Sequence, residues 1–487
     1  GREREMSPLL IRLAGRAVTG TLAVVLALPP ASAQPFDTPP PPAAPRPLSL
    51  SAPQQQTLPN GLRVVVAERR GVPLVTAQLL VLSGAEADPP ALPGLATLSA
   101  GLLTRGSRTR SAPAQAAAAE ALGGTLDSSA DWHRSTVQMT VTTPRLGAAL
   151  ALMADAALNP AFASAELQRL RIESLDELKV RYASPGTQAA LAAQQAVFGN
   201  GAYGRPVRGT PTSLQAITRA DVVALHRAHF RPDNAVLVLA GDIGLDEAVA
   251  QARRHFGNWK APAQPLAAPT DVAGTPAKEL LTLVDMGSAA GQASVTVALA
   301  LPARGAADNP AGAVTNAVLG QGYSSRMNQE IRIRRGLSYG AGSSFDTRRS
   351  GGLLLASAQT KNESAAELLQ LVHAQLDSLL QAPVPADELA ARKATIIGNL
   401  SRSVETTAGL AGQVSALVTA GLPPDALRGR IAALSAVDAA AVQRYARQHF
   451  GPDQRRAVVA GDAAQFEAAL RAAVPGLGKV APLGVGP

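Results

Sequence analysis

The chain carries six histidines and no cysteine. The missing thiols exclude cysteine nucleophiles, disulfide redox chemistry and cysteine-ligated zinc. His226 and His229 stand three apart on one expected helix, but a zinc site needs three or four ligands, and no third is in sight. His133, His255, His373 and His449 have no nearby histidine or cysteine. Gly336-Leu337-Ser338-Tyr339-Gly340 matches the G-x-S-x-G pattern of serine hydrolases. That pattern works on a strand-to-helix elbow with an acid and then a histidine downstream. Here it follows an expected helix and precedes a Gly/Ser-rich stretch, so it reads as a chance match. Gly320-Gln321-Gly322-Tyr323-Ser324-Ser325 lacks the preceding strand and the lysine of a phosphate-cradling loop. What remains is Arg332 with Tyr339, seven apart inside EIRIRRGLSY: a multi-donor fork and a phenolic hydroxyl. From the residues alone, Arg332 reads as one of several basic residues on a solvated helix and Tyr339 as core.

The elements that must position these residues are duplicated. Leu214–Asp242 returns 220 residues later as Leu434–Asp462, with His229-Phe230, Pro232-Asp233 and Gly241-Asp242 recurring as His449-Phe450, Pro452-Asp453 and Gly461-Asp462. Ala87, Asp88 and Pro90 map onto Ala307, Asp308 and Pro310 in the same register. So long a period is a duplicated domain, not a solenoid repeat. His229, matched by His449, is therefore expected to serve the fold where its helix ends.

Val-rich and alternating runs predict strands at Arg63–Glu68, Leu74–Leu82, Ser135–Val141 and Asn234–Ala240. Periodicity and caps predict helices within Leu92–Leu103 after Pro93 and at Ala114–Leu122, Pro144–Leu158 and Ala165–Tyr182, with Thr218 capping the repeat helix. In the second half the order recurs: strands near Leu280–Val284, Ala293–Leu301 and Gly352–Ser357, and helices at Ala311–Leu319, Ser364–Leu380 and Ala386–Leu400. Arg455-Arg456 replaces Ala235-Val236, so the last strand is expected to start later than its counterpart. Strands and helices mix without strict alternation. The expected class is α+β: two homologous domains, each a largely antiparallel sheet packed with helices, forming a clamshell half.

Charged residues are 17% and aromatics 3%, which leaves Ala, Leu and Val to build the cores. The net charge of +9 comes from scattered residues. No dense basic block with interleaved aromatics occurs, so no nucleic-acid partner is expected. Arg12 and Arg16, the apolar run Ala17–Leu28 and Ala31-Ser32-Ala33 read as a secretory signal, with cleavage after Ala33. The run is too short to span a bilayer comfortably, and no later stretch is long enough. The expected localisation is periplasmic or secreted, with no membrane span after signal removal. The expected divisions are a signal at 1–33, a Pro-rich tether at 34–53, a first domain at 54–260, a linker at 261–278 and a second domain at 279–478.

Four segments carry a resemblance: LPNGLRVVVAE at Leu58–Glu68, GLATLSAGLLTRGS at Gly94–Ser107, YGRPVRGT at Tyr203–Thr210 and GQGYSSRMNQEIRIRRGLSYGAGSSF at Gly320–Phe345. With the duplication, the chain from about Leu58 to Leu470 resembles the two-domain, insulinase-like zinc peptidases, which include mitochondrial processing peptidase and paired bacterial periplasmic peptidases. That family holds zinc with His-x-x-Glu-His on a helix and a later Glu. Two histidines four apart lie on one helix face, and the Glu polarises a bound water. The resemblance places Thr97 and Gly101 at the histidine positions, Ala100 at the glutamate and Glu177 at the later ligand. Thr97 is a poor ligand, Ala100 and Gly101 offer no ligand atom, and Glu177 alone does not hold zinc tightly. No metal site is expected in this chain.

In the family, an Arg and a Tyr at the spacing of Arg332 and Tyr339 face the zinc across an enclosed chamber. The Arg binds substrate carbonyl and the Tyr helps stabilise the oxyanion. The resemblance further suggests that Gly320, Gly322, Ser324 and Ser325 border the substrate chamber. It implies a non-catalytic subunit, inactive alone, with no cofactor of its own. Zinc and general base are expected in a homologous partner with an intact His-x-x-Glu-His, acting on an unfolded peptide. A peptide-binding or scaffold protein with no hydrolytic role is the alternative.

Overall fold

The computed structural model describes residues 50–267, 272 and 274–473. The expected signal, most of the tether and the last few residues of the second domain lie outside them.

Eleven strands build two sheets among the described residues. The first half contains β1 (Gln54–Thr57), β2 (Arg63–Glu68), β3 (Leu74–Val81), β4 (Asp127–Ala130), β5 (Ser135–Thr142) and β6 (Ala235–Gly241). Its spatial order is β1-β2-β6-β3-β5-β4, antiparallel except for the β2–β6 pair. The second half contains β7 (Leu281–Asp285), β8 (Ala293–Leu301), β9 (Ala341–Arg348), β10 (Gly351–Thr360) and β11 (Arg456–Gly461), ordered β7-β11-β8-β10-β9. Again a single pair, β11–β7, is parallel. The two orders superimpose strand for strand once β1 is set aside, as the duplication requires. The last strand starts at Arg456, one residue later than its counterpart Ala235. The side chain of Arg455 is buried, donating to the carbonyl of Phe450 and pairing with Asp377 at 2.6 Å.

Helices of the first half are α1 (Leu95–Leu103), α2 (Ala112–Ala121), α3 (Leu146–Leu158), α4 (Ser164–Tyr182), α5 (Pro185–Phe198), α6 (Pro211–Ala216), α7 (Arg219–His229) and α8 (Leu245–Phe256). Those of the second are α9 (Asn309–Leu319), α10 (Ala365–Gln381), α11 (Ala386–Ser403), α12 (Thr407–Thr419), α13 (Ala426–Ser435), α14 (Ala439–His449) and α15 (Ala463–Ala473). Thr218 caps α7 in a full capping box with Asp221. Helix α1 starts after Pro93 as expected, at Leu95, with Gly94 at its N-cap in a left-handed φ of 92°.

One face of each sheet packs on helices of its own half. The other face is covered by a helix from the opposite half. Ala189, Ala193 and Val197 of α5 pack against Ala298, Val458 and Ala460 of the second sheet. Reciprocally, Leu410, Ala411 and Val414 of α12 pack against Val65, Leu80 and Val238 of the first. Both faces of β6 are thus dry, which is why every residue of Ala235–Gly241 is buried and the strand does not alternate. This exchange makes the described residues of both halves one compact unit.

The β9–β10 turn adds a polar bond between the halves. The guanidinium of Arg348 lies 4.3 Å from the ring centroid of Trp132, 4.8 Å from Tyr203 and 5.5 Å from Phe198. Its neighbour Arg349 donates to Glu86 at 2.5 Å. Glu86 also accepts from His133 Nδ1 at 2.6 Å, and His133 Nε2 lies 2.5 Å from the Tyr203 hydroxyl. With Nδ1 donating to the carboxylate, Nε2 accepts from Tyr203, so the network selects one tautomer. Burial pushes the Tyr203 phenol up, which keeps it the donor.

Candidate functional site

Helix α1 displays the positions that the resemblance compares with a zinc motif. Asp88 anchors its start, accepting from the backbone N–H groups of Gly94 and Ala96, both at 2.8 Å. Burial nevertheless raises the Asp88 carboxyl to about 7, against those bonds and the nearby Arg205. On the helix, Thr97 donates its hydroxyl to the carbonyl of Val207 at 2.7 Å. Ala100 is buried and contributes only a backbone carbonyl, which accepts from Ser128 at 2.6 Å. A Cβ on Gly101 would meet Leu170 Cδ2 at 2.9 Å, so a core leucine fills the space beside it. Glu177 pairs with Arg208 at 2.9 Å, with both side chains about half exposed.

These residues do not fit a zinc ion. No ligand nitrogen is present, and the single carboxylate has a cation of its own. His226 and His229 are engaged in the fold. His226 Nε2 donates to the carbonyl of Ala157 at 2.8 Å, and its ring stacks on Phe230. His229 Nδ1 lies 3.0 Å from Ser83 Oγ. Burial depresses both imidazoles. The repeat partner of His229, His449, meets Asp308 at 2.9 Å.

Val207 and Arg208 also border a cavity of about 600 Å³ between the halves. Trp132, Tyr182 and Thr187 line it from the first half, and Ser344, Asp346 and Leu355 from the second.

The second candidate region centres on Arg332. Asn328–Arg334 is a π-helical turn, a form found often at functional positions. Its end is widened: Arg335 N–H reaches Glu330, Gly336 N–H reaches Arg332 and Leu337 N–H reaches Ile331. Gly336 takes a φ of 63°, where glycine is strain-free, and reverses the chain. The reversal brings Tyr339 back beside Arg332, whose guanidinium lies 5.9 Å from the Tyr339 ring centroid and 5.3 Å from that of Tyr323. Tyr339 is not core: it is 96% exposed, and Tyr323 is 63% exposed. Arg334 and Arg335 are tied to Glu330, so the acid beside the turn is already neutralised. The result is a half-buried arginine between two exposed phenols, its guanidinium able to donate several hydrogen bonds to one ligand.

Tyr323 is the member of this cluster that the sequence reading overlooked. It sits inside the Gly320–Ser325 loop, and only the tertiary fold brings it to Arg332. Within that loop, Gly322, Tyr323 and Ser324 are exposed at the tip. Gly320 is buried, with no room for a side chain: a Cβ would lie 2.3 Å from Ser343 N. Ser325 is also buried, its hydroxyl donating to the Gly322 carbonyl at 2.7 Å. Arg392 donates to Ser324 Oγ at 2.5 Å and steadies the tip. Gly320 and Ser325 thus shape the loop from within, while Gly322 and Ser324 face outward.

Comparison with known proteins agrees with this architecture. Residues 63–211 match the family profile described as insulinase (peptidase family M16), and residues 216–396 match the one described as peptidase M16 inactive domain. The chain is 31% identical over 363 residues to uncharacterized zinc proteases of Mycobacterium bovis and Mycobacterium tuberculosis, covering 74% of this chain and 82% of each relative. A solved peptidase M16 inactive domain from Pseudomonas fluorescens superimposes with a TM-score of 0.79 at 25% identity, covering 84% of this chain and 98% of that one. A protease from Helicobacter pylori shares the fold, with a TM-score of 0.80 at 19% identity, covering 85% of this chain and all of that one. With both halves matched in order and the fold in common, the chain belongs to the insulinase family, peptidase family M16.

Proposed function

We propose that the chain is the non-catalytic subunit of a heterodimeric periplasmic zinc peptidase, and that it presents Arg332 and Tyr339 to the active site of a homologous partner. The observation that carries this reading is the contrast between the two halves. Arg332 stands half-buried between the exposed Tyr323 and Tyr339, while the zinc-motif positions hold Thr97, Ala100 and Gly101. In this reading the partner supplies metal and general base through its own His-x-x-Glu-His. The guanidinium of Arg332 donates to a main-chain carbonyl of an unfolded peptide. The Tyr339 hydroxyl donates to the oxygen that gains negative charge as the peptide bond is attacked, where a preplaced donor acts most strongly. The outward tip at Gly322 and Ser324 borders the bound peptide.

Co-purification from the native host, metal analysis and a peptide-cleavage assay test this. The chain alone is expected to hold no stoichiometric zinc and to cut no peptide, and the complex to do both. Within the complex, Tyr339→Phe is expected to lower kcat by about a hundred- to a thousand-fold, the range for losing one oxyanion donor. Its side chain is almost fully exposed, so the fold tolerates the change. A mole of zinc per mole of isolated chain, or an unchanged rate in Tyr339→Phe, refutes the assignment. A complex that binds peptide without cutting it favours the scaffold.

A further inference from the structure

A second cavity, of about 510 Å³, lies inside the second half among α9, β9 and helices α11 to α13. Its volume is in the range of small-ligand sites, roughly 300–1,000 Å³. Arg332 and Tyr339 do not line it. One wall is apolar, built by Phe345, Ile396, Leu417 and Leu427. Two guanidinium-bearing side chains, Arg304 and Arg430, line the same space.

These half-buried arginines differ from three of the four buried ones, the fourth, Arg392, donating to Ser324 Oγ. Arg231 is paired with Asp233, Arg348 with Asp346 and Arg455 with Asp377. Arg430 instead donates to the neutral side-chain oxygen of Asn309 at 2.8 Å. The acid that acts on Arg304 is Asp346, which is already held by Arg348 at 2.7 Å. Burial depresses both guanidiniums. Arg304 further depresses Arg430, and Arg134, itself paired with Asp131, further depresses Arg304. Like charges kept close, partly dehydrated and without a counter-ion are costly, and an anion between them relieves the cost. The remaining lining is rich in side-chain amides, with Asn316, Gln321, Asn399 and Gln413 all contributing. Asn316, Asn399 and Gln413 each engage one end of the amide within the protein, with Ser343, Arg402 and Ser403, which leaves the other end to match the donors and acceptors of a peptide main chain.

We infer that this cavity binds the C-terminal end of a peptide, its carboxylate between Arg304 and Arg430 and its apolar last side chain against the Phe345–Leu417 wall. The inference stands whether or not Arg332 and Tyr339 serve a partner's active site, because it concerns other residues and a different readout.

Calorimetric titration of the full chain with three probes tests it: the tripeptide Ala-Leu-Phe as free acid, its C-terminal amide, and decanoate. The free acid is expected to bind, the amide at least about ten-fold more weakly, since it lacks the charge that the arginines select. The double variant Arg304→Gln/Arg430→Gln is expected to lose binding and to unfold at an equal or higher temperature than the wild type, because the repulsion is gone. If that variant does not fold, Gln321→Trp carries the test, since it keeps both arginines and obstructs the rim; binding is expected to weaken. No heat with the free acid, equal affinity for acid and amide, or undiminished binding in the variant that folds overturns the inference. Decanoate binding as tightly as the peptide acid overturns the peptide assignment.

Discussion

Glu86→Gln tests whether the two halves are bonded through the β9–β10 turn. Glu86 is 5% exposed and accepts from two groups: His133 of its own half at 2.6 Å and Arg349 of the other at 2.5 Å. Neutralising it leaves the Arg349 guanidinium without a counter-charge. Breaking a buried pair on one side costs about 3–5 kcal/mol. The side chain of Arg349 is 26% exposed, so water recovers part of that loss. Glutamine also retains an acceptor for one of the two donors. The expected destabilisation is therefore about 2–4 kcal/mol, read from urea unfolding followed by circular dichroism with a check for two-state behaviour. A double-mutant cycle with Arg349→Met isolates the bond between the halves, with an expected coupling of about 1–3 kcal/mol. A cost below about 0.5 kcal/mol, or single-variant costs that add to within about 0.3 kcal/mol, would refute the reasoning.

Two further outcomes are accessible by unfolding measurements. Burial, with Arg455 beside it, lowers the His373 imidazole to about 4, and its Nδ1 accepts from Arg455 at 3.2 Å. The folded state thus keeps His373 neutral where the unfolded chain binds a proton. Its contribution is fully present above about pH 6.5 and is lost as pH falls towards 4. Relative to His373→Gln, the wild type should lose about 2–3 kcal/mol across that window; parallel pH profiles would contradict this. Gly320→Ala forces a Cβ to 2.3 Å from backbone nitrogen and should cost about 1–3 kcal/mol. Gly322→Ala meets open space and costs only the strain of φ at 90°, about 1 kcal/mol, so its thermal shift should be the smaller of the two.

Much of the fold was legible because its strands are written in apolar runs and its order is written twice. The runs at Arg63–Glu68 and Ala293–Leu301 form strands with the predicted bounds, and Thr218 caps its helix as its type and position suggest. Helices α5 and α12 were not legible. They are rich in Ala, Gly, Gln and Thr, which show little amphipathic contrast, and the surfaces they cover belong to the opposite half. The hint lay elsewhere: Ala235-Val-Leu-Val-Leu-Ala240 has no polar face, so a sheet containing it must be covered on both sides. The polar bond between the halves was equally hidden. Glu86 and Arg349 stand 263 residues apart, and neither side chain has a local pattern that names the other.

The Arg332 site shows how spacing and geometry part company. Seven residues along an unbroken α-helix would place two side chains about 10.5 Å apart on one face. Tyr339 comes instead within 5.9 Å of the guanidinium, by ring centroid, because the helix has widened to a π turn and Gly336 has reversed the chain. The same turn leaves Arg332 within reach of Tyr323, which precedes it in the loop after α9. The sequence pair therefore depends on two features that it does not itself contain: a backbone able to open into i→i+5 bonding, and a glycine at a position where other residues are strained. Both lie between Arg332 and Tyr339 or immediately before them. A change at Gly336 would accordingly disperse the cluster without touching any of its three side chains.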